Sequence, residues 1–201
     1  MRSFIASTAM AVGLLVVVTP AAQAGRYVYR DGAGDVHTLI DQGKGALAPD
    51  RARGDITRVA ITNGRRAVRL GMTLRDLAGP DEIITATFNV QNGRHRTRHV
   101  SIDIAADSVS APRVTNGADN NVRCRGMRSA SVSAATRILT VTVPRACFNR
   151  PKVLRLNANT EGRSAADVRT TYVDDALTAG YPDYPHDFQS PVVWTPWVKR
   201  G

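Results

Sequence analysis

Two aspartates separated by three small residues, Asp31-Gly32-Ala33-Gly34-Asp35, form the first grouping in this chain with the means to do chemistry. Paired carboxylates on a glycine-rich turn suit calcium, a hard cation that takes oxygen ligands and accepts irregular loops. Asp174 and Asp175 follow the last expected strand and supply further oxygens if the two ends of the fold lie side by side. The spacing departs from the helix–loop–helix calcium pattern, so no such site is implied. An ordinary Asp/Gly turn has the same sequence, and that alternative stays open.

Catalytic signatures are missing. The chain holds no G-x-S-x-G elbow, no H-E-x-x-H pair, no phosphate-cradling glycine loop and no dinucleotide fingerprint. Asp103 and Asp107 are carboxylates of no particular pattern, and Asp103 alternates outward on an expected strand. His37, His95, His99 and His186 lack ligand-like spacing; His95 and His99 share a strand face, but too far apart for easy joint coordination. Cys124 and Cys147 have no histidine close by in sequence and are read as a structural disulfide. Closing that loop contributes about 3 kcal/mol on the chain-entropy estimate.

Positive charge is the second chemical resource. The chain carries 27 Lys+Arg against 17 Asp+Glu, a formal net charge of +10, with lysine only at 44, 152 and 199. Codon usage in a G+C-rich genome accounts for part of this arginine bias. Arg58 is expected opposite Arg69 on one hairpin, and Arg94, Arg96 and Arg98 cluster with two histidines on another. Arg123, Arg125 and Arg128 add a basic segment around Cys124. A basic sheet face draws anionic polymers such as wall teichoic acids, acidic polysaccharides or nucleic acid. Nucleic acid is disfavoured, because the basic strands carry almost no interleaved aromatics to stack on bases. A merely solvated surface is the plainer alternative.

These residues need a scaffold, and 201 residues suffice for a leader and one domain with a real core. Met1-Arg2, an apolar run from Phe4 to Val18 and an A-x-A site at Ala22-Gln23-Ala24 describe a secretory signal peptide, residues 1–24, cleaved after Ala24. No second apolar segment follows, so the expectation is a secreted, extracellular protein with no membrane insertion after cleavage.

Residues 55–173 read as short strands in period two. Strands at 56–62 and 65–74 flank Asn63-Gly64, a two-residue hairpin signal that pairs Val59 with Val68 and Arg58 with Arg69. Val59, Ile61, Val68, Leu70, Met72 and Leu74 then share the core face. Around Asn92-Gly93 a two-residue turn mismatches the apolar faces; a three-residue turn or bulge pairs Ala86 with Val100 and Ile84 with Ile102. Further strands are expected at 26–30, 36–40, 122–132, 137–143, 153–160 and 169–173. A loop is expected at 46–53 and a helical turn at 146–150. The fold class is all-β, an antiparallel sandwich of jelly-roll type over residues 25–179.

Residues 180–201 change character, with Tyr181, Tyr184, Phe188, Trp194 and Trp197 among four prolines. Prolines at this density forbid a central strand. The segment reads as an extended strap over the sandwich, or as an aromatic platform for sugar rings or a partner.

The segments Gly54-Asp55-Ile56, Asn63-Gly64-Arg65-Arg66-Ala67-Val68, Val143-Pro144-Arg145-Ala146-Cys147 and Val173-Asp174-Asp175-Ala176 resemble secreted sandwich proteins of high-G+C Gram-positive bacteria. More distantly, the chain is similar to family 9 carbohydrate-binding modules, jelly rolls with a structural calcium. That resemblance implies Asp31, Asp35 and one of Asp174 or Asp175 as calcium ligands; it offers no match for the family's sugar-stacking aromatics. The leading expectation is a secreted, non-catalytic sandwich that binds extracellular or cell-wall polymer, anionic in character. The alternatives are a structural or protein-partner module using the aromatic tail, and a secreted hydrolase.

Overall fold

The computed structural model describes residues 25–40, 45–177 and 193–201. The leader expected at 1–24 and most of the aromatic segment lie outside the described residues, including Tyr181, Tyr184 and Phe188.

The strands are β1 (Arg26–Arg30), β2 (His37–Ile40), β3 (Gly45–Leu47), β4 (Ile56–Asn63), β5 (Ala67–Leu74), β6 (Glu82–Asn92) and β7 (Thr97–Ala105). They continue with β8 (Ser108–Val109), β9 (Arg113–Asn116), β10 (Ser129–Ser133), β11 (Ile138–Pro144), β12 (Val153–Ser164), β13 (Thr170–Asp175) and β14 (Val198–Lys199). A single 3-10 turn, Arg145–Phe148, interrupts them among the described residues. Two antiparallel sheets result, one ordered β1-β4-β5-β11-β10, the other β3-β2-β13-β12-β6-β7-β8, with β9 on β7 and β14 on β12.

Alternation builds the core between the sheets. Val59, Ile61, Val68, Leu70, Leu139 and Val141 of the first sheet meet Ile84, Phe88, Val100, Ile102 and Leu156 of the second, all buried. Burial of this apolar area is the main force holding the sheets together. The all-β antiparallel sandwich expected from the sequence is the fold of the chain.

Register is where the expectation fails. Asn63 is a buried ladder residue, not part of a turn: it pairs with Val68, and Val59 pairs with Met72. Its amide donates to Gly25 O (2.6 Å), its carbonyl accepts from Gly201 N (3.1 Å), and its side chain donates to Val198 O (3.2 Å). Those partners extend the hairpin loop to Gly64, Arg65 and Arg66. Arg58 consequently lies opposite Arg30 and Thr73, and Arg69 opposite Thr62 and Thr142, so the expected Arg58–Arg69 pair does not form.

The β6–β7 connection is a three-residue turn, as expected, but set one residue later, at Gly93-Arg94-His95. Asn92 Oδ1 accepts from the amides of Arg94 and Arg96, while His95 takes the left-handed conformation (φ 56°). Ala86 therefore pairs with Ile102, and Ile84 with Ile104.

The strand expected at 122–132 shrinks to β10. Residues 117–128 form a loop that carries exposed Arg123, Arg125 and Arg128. Cys124 joins Cys147 across it, with Cα atoms 5.0 Å apart. The disulfide thereby ties this loop to the 3-10 turn. No helix among the described residues is long and apolar enough to cross a membrane.

Candidate functional site

Antiparallel pairing sorts the loops into two ends of the sandwich with opposite electrical character. At one end β1 leaves into the Asp31–Asp35 loop, β4 begins at Ile56, and β5 leaves into Arg75-Asp76. Gly34 makes that loop's turn possible: its φ of +85° suits glycine, and an added Cβ would meet Pro49 O at 3.2 Å. Gly34 N donates to Asp55 Oδ2 (2.8 Å), which also faces Arg75 Nη1 at 3.2 Å. Asp31 N donates to Thr57 O (3.1 Å), so both ends of the loop are moored to β4 and the turn before it.

Asp174 enters this corner from the other sheet. On β13 it faces the interior, 1% exposed, and its Oδ2 accepts from Ile56 N at 2.6 Å. Thr160, its neighbour on β12, donates to Gly54 O alongside. The result is a convergence of Asp31, Asp35 and Asp174, with one oxygen from each lying within 4.8 Å of the others. Asp31 Oδ2 and Asp35 Oδ1 are buried without a hydrogen-bond donor, as is Asp55 Oδ1.

Such crowding has an electrostatic consequence. Burial, then Asp174 and Asp35, push the Asp31 carboxyl up to about 8. Burial also raises Asp174 to about 7, although the Ile56 amide opposes this. Three carboxylates cannot all stay charged here without a counter-charge. Asp55 is raised by burial as well, held back by Gly34 N and Arg75. A divalent cation fits the corner: it would take oxygens from Asp31, Asp35 and Asp174 and supply the missing charge.

Asp175 does not join them. Alternation turns it to the opposite face of β13, where it accepts from Asn157 Nδ2 (3.1 and 3.2 Å) and from Leu177 N. Asp55 was missed from the sequence, because nothing in Gly54-Asp55-Ile56 signals a buried carboxylate.

The other end gathers arginine. Exposed Arg65 and Arg66 of the β4–β5 loop, Arg94 and Arg96 of the β6–β7 turn, and Arg150, Lys152, Lys199 and Arg200 all lie there, beside the basic 117–128 loop. Asp119 is the carboxylate of these segments. The Arg–carboxylate pairs involving Arg51, Arg53, Arg75 and Arg163 fall elsewhere, nearer the acidic end.

One arginine here is structural. Arg145 is buried, donates to Arg65 O and Pro151 O, and has its pKa lowered by burial, then by Arg200 and Arg150. Beside it, a cleft of about 380 Å³ opens between the β6–β7 turn and residues 149–153. Against the β6–β7 turn, the Arg155 guanidinium lies 4.9 Å from the Trp194 ring and 4.7 Å from Trp197, which His95 of that turn meets edge-on.

Of the five arginines singled out from sequence, Arg94 and Arg96 sit at this end. Arg69 projects from the outer face of the five-stranded sheet. Arg58 shares that face with Arg26 and Arg30. Arg98 departs from the group: it alternates to the core side of β7 opposite Val90, and donates to Thr97 O.

Comparison with family models, with curated proteins and with solved structures returns no match for the chain.

Proposed function

We propose that this is an exported, non-catalytic β-sandwich that binds anionic polymer of the cell wall or extracellular space. One observation carries the reading: the exposed cationic end, where Arg65, Arg66, Arg94, Arg96, Arg150 and Lys152 make no ion pair among the described residues and Asp119 is the one acidic side chain of those segments. Charge spread over several loops attracts a polyanion by releasing its counterions and needs no fixed geometry. The leader-like first 24 residues and the Cys124–Cys147 disulfide support export. Retention of the purified protein on heparin and on isolated cell wall, over a salt series, tests it. Binding that weakens steeply with salt is expected; absence of retention on either matrix at low salt refutes the proposal.

A second reading concerns the acidic end and is favoured by the convergence of Asp31, Asp35 and Asp174 with donor-free buried oxygens. There the protein holds a divalent cation of the calcium class. The ion pins the loop after β1 to β13 and so closes the sandwich at that end. Calcium titration by calorimetry, with the Asp31→Asn variant as control, tests this. A binding isotherm lost in the variant is expected; equal isotherms exclude the site.

A further inference from the structure

Arg145 is the one arginine more than nine-tenths buried among the described residues, and no carboxylate there answers its charge. Arg51 and Arg75, each half-buried, have Glu82 and Asp55 as counter-ions. Arg145 has two backbone carbonyls instead, Arg65 O at 3.3 Å and Pro151 O, and its Nε is buried without a hydrogen-bond partner. The charges that reach it belong to Arg200 and Arg150, both of its own sign. A guanidinium does not shed its proton to relieve that cost. A buried cation in this position calls for an anion from outside the chain.

Pro151, whose carbonyl it holds, lines the cleft of about 380 Å³ between the β6–β7 turn and residues 149–153. Asn92, 5% exposed, braces both walls: its Oδ1 accepts from the amides of Arg94 and Arg96, and its Nδ2 donates to Phe148 O at 3.3 Å. The walls touch at Gly93, where an added Cβ would lie 2.7 Å from Val153 Cγ2. On the far wall Asn149 and Arg150 follow one another at φ 61° and 48°, a left-handed pair that an arginine adopts only at a cost. The shape of the cleft is therefore set before any ligand arrives.

Its charged lining is Arg94 on one wall and Arg150 and Lys152 on the other, with no carboxylate among the described residues. Cations on opposed walls select the geometry of a ligand. A carboxylate presents two oxygens on one side and is gripped from one wall. A phosphate or sulfate monoester presents three diverging terminal oxygens, so both walls donate to it at once. Asn149 adds a neutral donor, and Pro151 and Val153 add apolar surface for the carbon that carries the ester.

We infer that this cleft is where the cationic end grips its polymer, and that it takes a single phosphate or sulfate monoester in preference to a carboxylate. The inference rests on the polyanion reading and narrows it, because counterion release alone treats ester and carboxylate polymers alike.

The test titrates the full mature chain with glycerol 3-phosphate, inorganic sulfate and glucuronate at one ionic strength, followed by NMR. The phosphate monoester or sulfate should give saturable shifts confined to Gly93, Arg94 and residues 149–153, and the Arg145 Nε–H signal should move with them. Which of the two binds tighter tells which ester the polymer carries. Glucuronate should bind about tenfold more weakly or less. Arg150→Ala and Lys152→Ala, both at exposed positions, should each weaken ester binding about tenfold, whereas Arg163→Ala, near the acidic end, should leave it unchanged. Retention on heparin with no saturable shift in the cleft overturns this inference and spares the polyanion reading. Equal affinity for glucuronate overturns it too, as do shifts that map to Trp194 and Trp197 or leave Arg145 unmoved. Absence of retention on heparin and on cell wall at low salt strikes the polyanion reading, and this inference with it.

Discussion

The two ends of the sandwich handle charge in opposite ways. At the acidic end carboxylates are few and close, and buried or half-buried: Asp174 is 1% exposed, Asp55 is fully buried, Asp31 and Asp35 are half-buried, and the fields of Asp174 and Asp55 reach one another through protein. At the cationic end arginines are many, separated and in water. Buried like charges couple strongly and move pKa values by several units. Exposed ones are screened, contribute little to stability singly, and act together only on a partner as long as themselves. Asp31, Asp35, Asp55 and Asp174 sit where they bear on folding, and the exposed arginines of the other end sit where they bear on association.

The largest effect that sharpens this contrast is calcium. At a concentration about a thousandfold above Kd the stabilisation is about 4 kcal/mol, which raises Tm by roughly 10 °C for a domain of this size. That rise should be seen at pH 8 by calorimetry, should shrink at pH 5 and should vanish in Asp31→Asn. Equal shifts at both pH values would break the assignment of the acidic end.

Reduction of Cys124–Cys147, or its replacement by serines, follows at about 3 kcal/mol, roughly 6–12 °C in Tm. This loss should be the same with and without calcium, because the bond ties the loops of the other end.

Third is the pH dependence of the metal-free protein. Asp31 at about 8 and Asp174 at about 7 titrate far above the ordinary carboxylate range. The folded chain therefore binds more protons than the unfolded chain from about pH 4 to pH 8, and its stability falls as pH rises through that window. Urea midpoints measured with chelator should decline accordingly, and Asp31→Asn should flatten the decline.

At the cationic end Arg94→Ser with Arg96→Ser should change stability by less than about 0.5 kcal/mol. The same pair should lower the salt slope of heparin retention by about two. A stability loss comparable to that of the disulfide would show that these arginines are structural after all. Smallest is Arg58→Ser on the outer sheet face. It relieves a like-charge pair with Arg30 and should gain a few tenths of a kcal/mol by denaturant unfolding.

The sandwich and its interior were legible in the residues, although neither hairpin register was. The physical reason is parity. Val59 was expected opposite Val68 and lies opposite Met72; Ala86 was expected opposite Val100 and lies opposite Ile102. Each displacement is an even number of residues, and an even slip leaves every side chain on its own face. Val59, Met72, Ala86 and Ile102 are buried under either register. The Asn-Gly signal misled because the turn it suggests is local, whereas Asn63 is claimed by Gly25, Val198 and Gly201 from distant parts of the chain.

By itself the sequence determined what alternation controls, an all-β chain and its core membership, and its lone cysteine pair marked the disulfide. It also marked Asp31, Asp35, Asp174 and Asp175 as carboxylates worth watching. Only the tertiary structure decided which of them meet. It brought Asp174 across from the second sheet and turned Asp175 away to orient Asn157, and it buried Asp55 beneath Gly34. It also drew Arg65, Arg94 and Arg150 to one end. Burial of a face depends on period two and is written locally. A site depends on which strands are neighbours, and that is fixed by contacts between residues far apart in the chain.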